Sequence, residues 1–172
     1  MAGSLIKIAE TTVSSAVSSV TLTGIDSTYD VYVLQYNQVA GNTGANGRLR
    51  FTESGTANST ANYDEADKTM RSASAFGQHT ATNSTSFTAD WNVNAGTEGG
   101  TQNIHYIFNA NNSSEYTFIT NEQTGLGVST NGLMSFTGGG VFTVTSTVDG
   151  INYFMESGSV DSGTFRLFGL KK

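Results

Sequence analysis

The chain has 172 residues, the length of one domain, and a domain of that size buries roughly 70% of the surface its unfolded chain exposes. Ser (20), Thr (25), Asn (15) and Gly (20) fill 80 positions, charged residues are only 13%, and the net charge is −6. Eight scattered basic residues argue against nucleic-acid binding, the absence of Cys excludes a disulfide framework and thiolate chemistry, and 37% apolar residues in alternating groups argue against disorder.

The start, MAGSLIKIAETTV, has no apolar run of signal-peptide length, and no later stretch approaches a membrane span. We therefore expect a protein made in a cytoplasm, neither exported through a signal peptide nor inserted in a membrane.

From there the chain alternates with period two. Leu5, Lys7 and Ala9 oppose Ile6, Ile8 and Glu10, and Val20 and Leu22 alternate with Thr21 and Thr23. From Tyr29 to Tyr36 both faces are apolar, which predicts a central strand covered twice. Leu49 and Phe51 face away from Arg48 and Arg50. The stretch Asn62–Gly77 is the best helix candidate, with acidic residues early and Lys68 and Arg71 late, though it reads equally as a polar loop.

Further strands are predicted at Ser86–Val93, Asn103–Asn109, Tyr116–Asn121, Leu133–Thr137, Val141–Val148, Ile151–Glu156 and Gly163–Leu170. Turns are predicted between them at AGNTGANG, ESGTANSTAN, NAGTEGG, NANNSS, NEQTGLG and TGGG. Asp149-Gly150, between VFTVTSTV and INYFME, predicts a β-hairpin. About ten short strands with Gly- and Asn-rich turns predict one all-β domain over 1–172, an antiparallel two-sheet sandwich of the jelly-roll kind. Proline is absent, which removes one device that shields sheet edges and favours partner chains as the cover.

Candidate chemistry is sparse. His79, in an apparent loop, and His105, facing away from Ile104 and Tyr106, are the two possible general bases, and neither sits in a nucleophile motif. A hydrolase on this scaffold is the weakest of three readings. Asp64, Glu65 and Asp67 could offer oxygens to a divalent cation, but without a Ca²⁺-loop spacing they read better as a solvated loop. No catalytic, metal or cofactor residue is assigned. Trp91, flanked by Asp90 and Asn92, is the best candidate for an exposed sugar-stacking residue.

Several segments together suggest a family: Leu5-Ile6-Lys7-Ile8 leading into VSSVTLTGIDSTYDVYVLQYN, Leu49-Arg50-Phe51, Asn62-Tyr63-Asp64, NNSSEYTFIT (Asn111–Thr120) and the closing SGTFRLFGLKK. In pattern and composition the chain resembles small structural proteins of marine bacteriophages, cyanophages especially. The resemblance implies a virion component without catalytic residues: a capsid decoration protein or the small head of a tail or capsid fibre. It also implies a homotrimer in contact with other capsid or tail proteins. The expected subunit-contact residues are Tyr32, Leu34, Tyr36, Phe168 and Leu170. The alternative is a module that recognises a host surface polysaccharide through Trp91, Asp90 and Asn92.

Overall fold

The computed structural model describes residues 4–73, 76–93, 100–127 and 132–171. They form thirteen strands: β1 (Ser4–Val13), β2 (Ser19–Thr23), β3 (Val31–Gly41), β4 (Ala45–Glu53), β5 (Thr56–Ala57), β6 (Tyr63–Arg71), β7 (Gly77–Ser84), β8 (Phe87–Val93), β9 (Thr101–Phe108), β10 (Thr117–Leu126), β11 (Leu133–Phe142), β12 (Gly150–Met155) and β13 (Val160–Lys171). All strand pairs are antiparallel. The all-β, two-sheet expectation holds.

One sheet has eight strands in the order β1-β13-β3-β9-β10-β11-β6-β7. The other has five, β2-β12-β4-β5, with β8 also paired to β4. The core lies between the sheets and holds two aromatic groups. Tyr36, Tyr153 and Phe165 stack with ring centroids 5.1–5.3 Å apart. Phe51, Phe87, Phe142 and Tyr63 meet at 4.8–5.8 Å. Each such pair contributes about 0.5–1.5 kcal/mol beyond its buried area.

The Asp149-Gly150 hairpin does not form. β11 ends at Phe142, the chain crosses to the other sheet, and Gly150 opens β12 between β2 and β4. Val141 and Phe142 close β11, and Val148 is fully buried in the crossover that follows, so VFTVTSTV is not the first arm of a hairpin. Asp149 ties that crossover down, accepting from Thr52 Oγ1 at 2.5 Å and from the Gly55 amide at 2.7 Å. A side chain at Gly150 would collide with the Leu22 carbonyl, so glycine is required by close packing there.

The described residues of 62–77 hold no helix. Tyr63–Arg71 is a strand that buries Tyr63, Glu65, Asp67 and Thr69 and turns Ala66, Lys68 and Met70 outward. His79 lies on β7, not in a loop. The glycines of TGGG and most of NEQTGLG are strand residues as well, in β11 and β10. A Cβ at Gly138 would meet Asp67 Oδ1 at 2.3 Å, and one at Gly140 would meet the Phe87 ring at 2.5 Å. Those glycines make room for neighbours, which turn chemistry cannot reveal. The turn expected at NAGTEGG falls mainly on residues 94–99, outside the described residues.

Candidate functional site

Among the described residues, strand β8 pairs with β4 on one side and makes a single bridge, Val93 to Gly127, besides. Its other backbone groups are met by side chains from the inner face of the eight-stranded sheet. Asn103 Nδ2 donates to the Ala89 carbonyl at 2.7 Å, and Asn121 Nδ2 donates to the Thr88 and Ala89 carbonyls at 3.2 and 3.1 Å. Gln123 Oε1 accepts from the Trp91 amide at 2.9 Å, and Glu65 Oε2 from the Thr88 amide at 2.6 Å. Buried backbone groups must find partners, and here a row of amides and one carboxylate replaces a neighbouring strand.

Asp90 sits at the centre of this seam and is fully buried. Oδ2 accepts from Tyr36 at 2.6 Å and Tyr153 at 2.8 Å; Oδ1 accepts from Thr101 at 3.1 Å and Asn103 at 3.2 Å. Burial pushes the Asp90 carboxyl up, and the four donors oppose that shift. Beside it His105 has Nδ1 3.0 Å from the Thr120 carbonyl and Nε2 3.3 Å from the Tyr36 hydroxyl. A carbonyl only accepts, so the proton sits on Nδ1. Burial lowers the His105 pKa to about 4, leaving a neutral ring. With 1% of its surface exposed, His105 packs as a core residue.

The seam ends in a cluster of Glu65, Asp67 and His79, whose ligand atoms lie within 4.8 Å of one another. Glu65 and Asp67 share one face of β6, and His79 stands directly across from Asp67 on β7. His79 Nδ1 is 3.5 Å from Glu65 Oε1 and 3.8 Å from Asp67 Oδ2. Neither Asp67 Oδ2 nor His79 Nδ1 makes a hydrogen bond to a described residue, although both atoms are buried. Asp64, the third acid of the sequence motif, faces the other way and accepts from the Asn83 amide at 2.7 Å.

The sugar-binding trio does not form a platform. Asp90 is in the core, and Trp91 is half-buried between the His79 ring at 5.2 Å and the Phe136 ring at 6.1 Å. Asn92 takes a left-handed backbone (φ 53°), and its amide donates to Asn46. Burial of Asp90 removes the polar partner a bound sugar would need.

Three of the expected subunit-contact residues also move inward. Tyr32, Leu34 and Tyr36 are each 1% exposed and belong to the core of a single chain. The sheet on the far side of the core, not a sister subunit, covers that face of β3. Phe168 and Leu170 do lie on the outer face of the eight-stranded sheet, half-buried. There, Lys7, Phe168, Val33 and Tyr106 follow one another in register across β1, β13, β3 and β9. Val31, Phe108 and Phe118 form a parallel row across β3, β9 and β10. Tyr106, Phe108, Phe118 and Ile104 are 36–47% exposed. Sequence alternation alone, Ile104-His105-Tyr106-Ile107-Phe108, left open which face was the inner one.

No known protein family, curated protein or solved structure matches the chain.

Proposed function

We propose that this chain is a non-enzymatic structural module of a bacteriophage virion, a capsid decoration or fibre-head domain that assembles as a homotrimer. The observation that carries the reading is the apolar band on the outer face of the eight-stranded sheet. Soluble monomers rarely expose contiguous apolar patches beyond a few hundred Å², and such patches mark contact surfaces. Here the band spans β3, β9 and β10; at its edge Arg166 and Glu10 neutralise each other at 2.6 Å, and Glu122, opposite Ile104, is the charge set within it.

The strand order supports a jelly-roll reading. β1-β13-β3-β9 faces β2-β12-β4-β8, with β5–β7 and β10–β11 inserted between its members and β10, β11, β6 and β7 extending the first sheet. Viral capsid domains use jelly rolls, as do lectins. The absence of an exposed Trp91–Asp90–Asn92 platform favours the former. The sequence resemblance to marine phage proteins points the same way.

Light scattering on the purified chain tests the assembly. The expected result is a trimer at micromolar concentration that falls to monomer when Tyr106 and Phe118 are both replaced by Asp, with an unchanged β-sheet circular dichroism spectrum. A wild-type chain that stays monomeric at tens of micromolar would overturn it. Mass spectrometry of purified particles from the source tests the location: the chain should appear at a copy number divisible by three.

A further inference from the structure

We propose that Glu65, Asp67 and His79 form a binding site for a small divalent transition ion, Zn²⁺ above all, that pins the terminal hairpin β6–β7 to strand β8. Two independent observations carry this. The first is the converging ligand set itself, two carboxylates and an imidazole from adjacent strands. The second is Asp67: its side chain is 2% exposed, and Oδ2 points at His79 with no hydrogen-bond partner among the described residues. A buried polar atom left unpaired costs about 1–3 kcal/mol, and native structures rarely leave one without an ion, water or function to answer for it.

The geometry suits such an ion. Zn–N and Zn–O bonds of about 2.0–2.2 Å place the ligand atoms of one ion roughly 3–4 Å apart, and the His79 distances of 3.5 and 3.8 Å fall in that range. Imidazole with carboxylate favours Zn²⁺ and its neighbours over Ca²⁺, which takes six to eight oxygens. Outer contacts hold the ligands. Thr88 donates to both Glu65 oxygens, from its amide at 2.6 Å and its hydroxyl at 2.8 Å, and leaves one Oε1 lone pair toward His79. Arg48 Nη1 donates in turn to the Thr88 hydroxyl at 2.8 Å. Trp91 sets an apolar ring against His79, with Phe136 behind it, and Gly138 leaves the space in which the Asp67 carboxylate sits. His79, 23% exposed, gives solvent access for the ion.

Burial, and next the Glu65 charge, push the Asp67 carboxyl up to about 8. The role is structural. Among the described residues β7 is the last strand of its sheet, paired with β6 alone, and an ion bridging Asp67, His79 and Glu65 fastens this edge to the seam under β8.

The test uses the full chain without an affinity tag, stripped of metal and titrated with Zn²⁺, with Co²⁺ as the spectroscopic probe. One equivalent should bind, raise Tm by roughly 5 °C or more at saturation, and give Co²⁺ visible bands of low coordination number. His79→Ala and Asp67→Asn should each weaken Zn²⁺ binding at least tenfold while keeping the metal-free circular dichroism spectrum; His79→Gln is the substitute if His79→Ala fails to fold. The only other histidine, His105, is buried, so loss of imidazole ligation reports on His79. Failure of Zn²⁺ and Co²⁺ to bind at millimolar concentration would overturn the site. So would binding that survives both substitutions, or Ca²⁺ that binds more tightly than Zn²⁺. None of these results depends on the oligomeric state.

Discussion

The two faces of strand β9 are inverted relative to ordinary expectation. Toward the core it turns Thr101, Asn103, His105 and Ile107; toward the outside, Gln102, Ile104, Tyr106 and Phe108. On β13, two strands away, the usual order holds, with Phe165 and Leu167 inside. The difference has a physical origin. β13 faces the apolar centre of the sandwich, whereas the inner positions of β9, β10 and β6 lie under β8 and supply the hydrogen bonds that a missing neighbour strand would have made. The apolar residues expelled from that interior end up on the outer face, where burial can come from another subunit. The polar seam and the apolar outer face are thus two consequences of one arrangement.

The strongest test of the seam is its central acid. Asp90→Ala leaves the Tyr153 hydroxyl with only a weak contact to Met155 Sδ at 3.8 Å and opens a cavity beneath Gly47 and Tyr36. Breaking a buried charged network of this kind costs about 3–5 kcal/mol. Urea unfolding followed by tryptophan fluorescence should show that loss. A cost below about 1 kcal/mol would mean the seam is water-accessible and not a true interior.

The next effect is pH dependence. The folded His105 pKa, near 4, lies below the unfolded value of about 6.5. Its contribution to stability is therefore complete above pH 6.5 and lost as the pH falls toward 4, because the unfolded chain takes up a proton that the folded core refuses. The shift corresponds to about 3 kcal/mol. Asp67 and Asp90, whose pKa values are raised, push the other way, so the informative quantity is a difference. Between pH 6.5 and 4 the wild type should lose stability relative to His105→Gln, with Asp67 and Asp90 common to both chains. Parallel pH profiles for the two chains would show that His105 does not stay neutral in the fold.

Much of the scaffold was legible from period-two alternation, since β1, β2, β4, β8, β9, β12 and β13 all lie on stretches where apolar and polar residues alternate. What alternation could not give was the sign of the alternation. On β6 the inner set is Tyr63, Glu65, Asp67 and Thr69, and acids spaced two apart beside a late Lys and Arg mimic the charge pattern of a helix. On β7 the mixed Gly, Gln, Thr and Asn sequence carries no apolar face at all, because its pairing to β6 is by backbone and its contents are polar. The Asp149-Gly150 signal failed for a different reason. Hairpin chemistry is local, but here the Asp side chain is recruited by Thr52 of β4 and by Gly55 in the turn after it, and the chain changes sheets at that point. The metal-ligand cluster needed β6–β7 register to bring His79 to Asp67, and no local motif spans those two residues.

The smallest expected effects fall on the outer face, and one strand can supply both halves of the test. Asn103→Ala removes donors from the Ala89 carbonyl, Asp90 and Asn121 at once. Leaving such buried groups unpaired costs about 1–3 kcal/mol. Tyr106→Thr, three positions along on the opposite face, removes an aromatic residue that is 40% exposed in the single chain and substitutes a good strand former. Measured by urea midpoint at nanomolar concentration, where subunits are separated, Tyr106→Thr should change stability by no more than about 0.5 kcal/mol. At micromolar concentration the same substitution should lower the midpoint, because it then removes contact between subunits and stability becomes linked to concentration. A Tyr106→Thr loss that is equally large at both concentrations would place Tyr106 in the chain's own core, and the inversion on β9 would have to be abandoned.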